Sequence, residues 1–220
     1  MESHVAFKYR YDALDGGMVD GNEIRLRWQQ AIGKSKRMAA SIELPFAHIS
    51  EPENQSAGGL GDIKLEFRGM LSKGEKFEQA AGVELTLPSA SSDALGEGQT
   101  VLRLVWGCSG QLTPHTVLTG EFAYNKAVAN SHAGPGVNSI EPELILSQIF
   151  AKRVGGYLNW DNYYEFNVDK YINTMKVALE IALDKKDKWG FAPYAVFPLS
   201  HASSLLETKL GVGFDLTYAF

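Results

Sequence analysis

The sequence predicts an all-β, single antiparallel up-and-down transmembrane β-barrel of about twelve strands. Three observations predict it. Apolar residues recur at every second position through most of the 220 residues. Charged residues occupy the other parity of the same stretches. The gaps between stretches alternate long and short. No run of about 18 apolar residues exists, so helical membrane spans are excluded, whereas a barrel strand needs only alternate residues to meet lipid.

A period of two marks an extended strand with two unlike faces. The first such segment carries Val5, Phe7, Tyr9 and Tyr11, and the second Ile24, Leu26 and Trp28. Met38, Ala40, Ile42 and Leu44 form the third; Ile63, Leu65 and Phe67 the fourth. Then come Ala81, Val83, Leu85 and Leu87, followed by Leu102, Leu104 and Trp106. The second half repeats the rhythm at Leu118, Phe122 and Tyr124, at Ile140, Leu144 and Leu146, and at Leu158 and Trp160. Tyr171, Met175, Val177, Leu179, Ile181 and Leu183 come next, then Trp189, Phe191 and Phe197. The last segment is Leu206, Thr208, Leu210, Val212, Phe214, Leu216, Tyr218 and Phe220. The whole chain, 1–220, is one barrel domain on this reading.

The intervening positions carry Lys8 and Arg10, Arg25 and Arg27, Glu43, Lys64, Glu66 and Arg68, Glu84, Arg103, Glu121, Glu141 and Glu143, Asp161, Lys176 and Glu180, and Lys209 and Asp215. A lysine or arginine on the lipid face near the midplane costs about 2–4 kcal/mol. These residues are therefore assigned to the inside. A soluble sandwich also alternates, with its faces reversed. Gap lengths separate the two. Long gaps fall near 12–22, 46–59, 88–98, 125–138 and 162–170; short ones near Gly33–Arg37, Leu71–Lys76, Gly107–Gln111, Ala151–Arg153 and Asp184–Lys188. Outer-membrane barrels alternate long external loops with short periplasmic turns, and a Greek-key sandwich has no reason to. Trp28, Trp106, Tyr124, Trp160, Trp189 and Tyr218 are read as girdle residues near strand ends.

Composition narrows the function. The net charge of -5 and pI near 5.6 argue against a nucleic-acid partner. The single Cys108, in Gly107-Cys108-Ser109-Gly110, reads as a turn residue. Met1-Glu2-Ser3-His4 has no basic start and no apolar stretch, so the sequence is expected to be that of a mature or engineered form. The histidines are scattered, the loop residues Asn54, Asp93 and Glu97 have no calcium-loop spacing, and no phosphate loop is present; no metal or cofactor is expected. Ser131–Gly136 reads as an exposed loop.

The final strand, ending on the aromatic Phe220, resembles the closing strand of bacterial outer-membrane barrels. That resemblance implies recognition by the barrel-insertion machinery and a lipid environment. Gly59-Leu60-Gly61-Asp62-Ile63, Leu87-Pro88 and Leu95-Gly96-Glu97-Gly98 together resemble motifs of the outer-membrane family named for transport in the meta-pathway of phenol degradation. Ser89-Ala90 departs from the Thr-Gly usual there. The resemblance implies a Gram-negative outer-membrane channel passing small organic solutes, aromatic or otherwise apolar. Residue chemistry gives the glycines to tight rim backbone and Asp62 to accepting bonds from loop amides.

The candidate pore-lining set is Arg25, Arg27, Glu43, Lys64, Glu66, Arg68, Glu84, Arg103, Glu121, Asp161, Lys176 and Glu180. Arg25 and Arg27 are expected to face Glu43, Lys64 and Arg68 to face Glu84, and Arg103 to face Glu84 or Glu121. Such pairs either fill and brace the wall or, where unpaired, set charge selectivity. Two alternatives remain: a structural or adhesive barrel with a blocked interior, and a lipid-modifying hydrolase. The second would use His48-Ile49-Ser50 or His201-Ala202-Ser203, each a His–Ser pair on one strand face. Neither has an evident orienting partner, and the chain is not expected to be an enzyme.

Overall fold

A computed structural model describes residues 1–14, 20–50, 56–93, 95–96, 98–130, 136–199 and 208–220. Asn54, Glu97, residues 131–135 of the glycine-rich loop, His201, Ser203 and Leu206, all singled out by the sequence, lie outside the described residues. The described chain is strand and turn, in thirteen strands. They are β1 (His4–Leu14), β2 (Asp20–Ile32), β3 (Met38–Ser50), β4 (Ser56–Leu60), β5 (Ile63–Lys73), β6 (Phe77–Leu87) and β7 (Gln99–Thr113). The others are β8 (Thr116–Asn130), β9 (Asn138–Ala151), β10 (Val154–Glu165), β11 (Lys170–Ala182), β12 (Trp189–Pro198) and β13 (Thr208–Ala219).

Every pairing is between antiparallel neighbours, and two of them close the ring: β1 on β13 and β2 on β3. Strands β4 and β5 pair with the upper and lower parts of β3 and form one interrupted stave, giving a barrel of twelve staves. Among the described residues closure leaves no strand edge, the condition for a sheet to cross a bilayer.

Parity does what the sequence pattern predicts. Leu65, Leu104 and Leu179 stand 40%, 50% and 49% exposed on the outer face. Glu43 and Glu66, one residue out of phase with such positions, are 8% and 7% exposed. The buried apolar side chains are small ones on the inner face, among them Ala39, Ala123 and Ala178. The apolar residues thus form an outward band, and the ionic ones point toward the axis. That is the reverse of a soluble sandwich and the arrangement a hydrocarbon surround requires.

Several boundaries differ from the sequence reading. The fourth stave begins at Ser56, ahead of Ile63 where the alternation starts it, and Gly61-Asp62 interrupts it. Strands extend into the long gaps at Leu14, Ser50, Asn130 and Glu165. Gly107–Gln111 is not a turn. It lies within β7, with Cys108 paired to Gln79 and Gly120, and the turn falls at Pro114-His115. The reason is pairing: unbroken ladders to β6 and β8 hold this small-residue stretch extended. Trp106 accordingly sits mid-strand. Trp189 and Tyr218 do meet near the short-turn end, rings 4.7 Å apart.

Candidate functional site

The inner surface is the candidate site. It is built by strand alternation: each of β2, β3, β5, β7, β8 and β9 contributes every second residue inward. Ionic side chains of both signs meet there and form one connected chain across six strands. Arg27 on β2 pairs with Glu66 on β5, bridged by the Ser41 hydroxyl, which accepts from Arg27 at 3.1 Å and donates to Glu66 at 3.1 Å. Glu66 also holds Arg68, and Arg68 reaches Glu121 on β8 at 2.9 Å. Glu121 meets Arg103 on β7 at 3.5 Å, and Arg103 pairs with Glu141 on β9. Asn125 on β8 donates to Glu141 at 2.9 Å and to Ser139 at 3.0 Å.

Toward the long-loop end, Arg25 pairs with Glu23 at 2.7 Å and approaches Glu43 at 3.7 Å. Lys64 lies 3.9 Å from Glu84. On the other wall, Lys176 meets Asp215 at 3.6 Å and stands 3.7 Å over the Tyr194 ring. Glu143 lies directly opposite both Glu121 and Asp161 in register, placing three carboxylates in one cross-strand row. Asn159 donates to Glu143 at 2.5 Å. Glu180, on β11, is level with Gly155.

All twelve predicted residues therefore sit on the inward parity, but only some meet their predicted partners. Arg25 with Glu43, Lys64 with Glu84 and Arg103 with Glu121 are found. Arg27 passes over Glu43, its neighbour in register, to reach Glu66; Arg68 takes Glu66 and Glu121 rather than Glu84. Side-chain length and wall curvature decide this, because inward-pointing chains converge on the axis. Glu23, Ser41, Asn125, Ser139 and Tyr194 were missed; the signal for each was its inward parity.

Above the charge chain lies a cavity of about 330 Å³, bounded by Arg25, Lys64, Arg103, Glu84 and Tyr163 and by Leu95 and Gly96 of the β6–β7 loop. A second cavity of about 130 Å³ lies between Lys8, Arg10, Arg25, Lys176 and Tyr194. At the end of β3, the His48 Nε2 and the Ser50 hydroxyl are 3.3 Å apart, in an exposed position.

A closed barrel with a lipid-facing apolar band and an ionic interior defines the class: a transmembrane barrel of the outer-membrane, porin-like type. Solved structures agree on the fold. An outer-membrane channel from Pseudomonas putida F1 superposes with TM-score 0.81 at 14% identity, covering 100% of this chain and 96% of that one. The KdgM porin, solved with disordered oligogalacturonate, gives 0.64 at 14% identity over 98% and 99%. The CymD monoaromatic hydrocarbon channel gives 0.59 at 9% identity over 100% and 88%. At these identities the likeness is one of fold. No protein-family profile matches the sequence, and no curated protein is detectably similar to it in sequence.

Proposed function

We propose that this barrel is a channel for the passive passage of small organic solutes, aromatic or otherwise apolar ones among them, across the outer membrane. The observation that carries the reading is the cavity inside a closed barrel, where ionic groups stand beside apolar surface from Leu95, Val101 and Val137. The two channel folds named above, one of them for monoaromatic hydrocarbons, support it, as do the glycine motifs resembling the phenol-pathway family. On this reading Arg25, Glu43, Lys64, Glu84 and Arg103 line the path at the cavity. Arg27, Glu66, Arg68 and Glu121 brace one wall, and Asp161, Lys176 and Glu180 face them. Phe220, which follows β13, is proposed as the mark read by the insertion machinery.

The rival is a barrel with a blocked interior, and the charge chain from Arg27 to Glu141 is what favours it. Refolded protein in planar bilayers and in phenol-loaded liposomes separates the two. A channel gives discrete conductance steps and faster phenol release than protein-free liposomes; absence of both overturns passage. The Arg103→Glu variant adds a carboxylate beside Glu121 and Glu141 and is expected to shift ion preference toward cations. Unchanged conductance and preference would remove Arg103 from the path. Among the described residues the hydrolase reading rests on the His48–Ser50 contact, and a serine-directed probe that labels neither Ser50 nor Ser203 closes it.

A further inference from the structure

We propose that the β6–β7 loop is an internal constriction latched to the barrel wall by Asp62, and that this latch sets the size of solute admitted. The inference rests on the passage reading and names the element that limits passage. The latch is built at the interruption between β4 and β5. At Gly61-Asp62 the stave leaves its ladder, although Gly61 still donates to Pro45 at 2.8 Å. The backbone freed there is taken up by the loop. Ser91 donates to the Leu60 carbonyl through its amide at 2.8 Å and through its hydroxyl at 3.2 Å.

Asp62 holds the near limb of the loop. Its Oδ1 accepts from the amides of Ser89 at 3.0 Å and Ala90 at 3.1 Å, and Ile63 donates in return to the Ser89 hydroxyl at 2.8 Å. Two successive amides on one carboxylate oxygen fix the direction in which the loop leaves β6. The far limb then returns against the same residue. A Cβ at Gly96 would stand 2.6 Å from the Asp62 carboxylate and 2.4 Å from Ala90, so only glycine admits this approach. A Cβ at Gly61 would stand 3.2 Å from the Leu95 carbonyl. Leu95 and Gly96 share the 330 Å³ cavity with Lys64 and Glu84, on the inner wall. Leu95 and Gly96 therefore bound the lumen rather than arching over the rim. The interruption, the anchor and the glycines, which the sequence presents as separate motifs, make one device.

The test uses the refolded barrel and three variants, each checked for folding by heat-modifiable migration on a denaturing gel. Single-channel conductance and the size limit for neutral polyethylene glycols are read in planar bilayers. Asp62→Ala removes the anchor, and Gly96→Val expels the far limb by an independent route. Both are expected to raise conductance about twofold or more and to admit larger polymers. Asp62→Asn keeps an Oδ1 acceptor and is expected to behave as the parent. A folded Asp62→Ala with the parent's conductance and size limit overturns the latch and leaves passage standing. If Asp62→Ala does not fold, Gly96→Val decides by the same criterion. A silent parent beside a conducting Asp62→Ala supports the latch while overturning passage in the unmodified barrel. Silence in both overturns the latch as well.

Discussion

Arg68 on β5 donates to Glu121 on β8 at 2.9 Å, spanning the two staves, β6 and β7, that separate their strands. The contact is possible only because the sheet closes: on a flat sheet, neighbouring strands at about 4.8 Å spacing would put these residues beyond reach. Arg68 also holds Glu66, so one guanidinium braces two carboxylates. Replacing it with alanine leaves Glu66 to Arg27 and Glu121 to Arg103. Partly buried, charge-assisted bonds of this kind are worth on the order of 1–3 kcal/mol. Arg68→Ala is expected to lower unfolding stability in detergent by about that much, as followed by tryptophan fluorescence against urea. Arg68→Lys is expected to recover less than half of it, because an ammonium lacks the fork. Full recovery by lysine would show that point charge alone matters there.

The outward band makes a sharper demand. Leu104 lies in the middle third of β7 and is 50% exposed on the outer face, immediately beside the inward Arg103. Leu104→Lys adds a cation one residue from Arg103 and on the lipid side. The expected cost is about 2–4 kcal/mol in a bilayer. Arg103→Lys, a change of similar chemistry on the inner face, is expected to cost well under half as much. Folded fractions after refolding into phosphatidylcholine vesicles, read by heat-modifiable migration, compare the two. Equal losses would mean that Leu104 does not meet hydrocarbon.

The contrast between positions 103 and 104 also shows what the sequence makes legible. A strand's side chains alternate strictly, so once lipid is assigned to one parity every residue's face follows, and Lys64, Glu66 and Arg68 could be placed inward from the pattern alone. Partners could not. The neighbour of Arg27 in register is Glu43, yet its bond goes to Glu66, because partner choice depends on curvature and reach across the lumen. Turn chemistry misled at Gly107–Gln111: a glycine–cysteine–serine–glycine run has high local turn preference, and ladders on both sides override it. Asp62 shows the opposite case. Its role as an acceptor for loop amides follows from residue chemistry. Which amides it binds, and that their loop turns into the lumen, needed the fold.

The short turn between β11 and β12 offers a pH test outside the membrane-spanning staves. The Asp184 carboxylate accepts from the amide of Trp189 at 2.9 Å and from those of Lys186 at 3.3 Å and Lys188 at 2.7 Å. These bonds, Trp189's foremost, favour the ionised form and hold the carboxyl below the usual aspartate range. A carboxylate whose pKa is depressed on folding contributes stability that is complete above the unfolded value and is lost as pH falls through the folded one. The turn is therefore expected to stay closed through mildly acid pH and to loosen only below about pH 3.9, the unperturbed aspartate value. The amide proton shifts of Lys188 and Trp189, followed by NMR in detergent micelles, should titrate together with a midpoint below that value. In Asp184→Asn the same shifts should be flat, since the amide oxygen accepts without titrating. A midpoint at the unperturbed value would mean that the three amides do not bind the carboxylate in solution, and that the turn is held instead by the Leu183 amide donating to the Trp189 carbonyl at 2.8 Å.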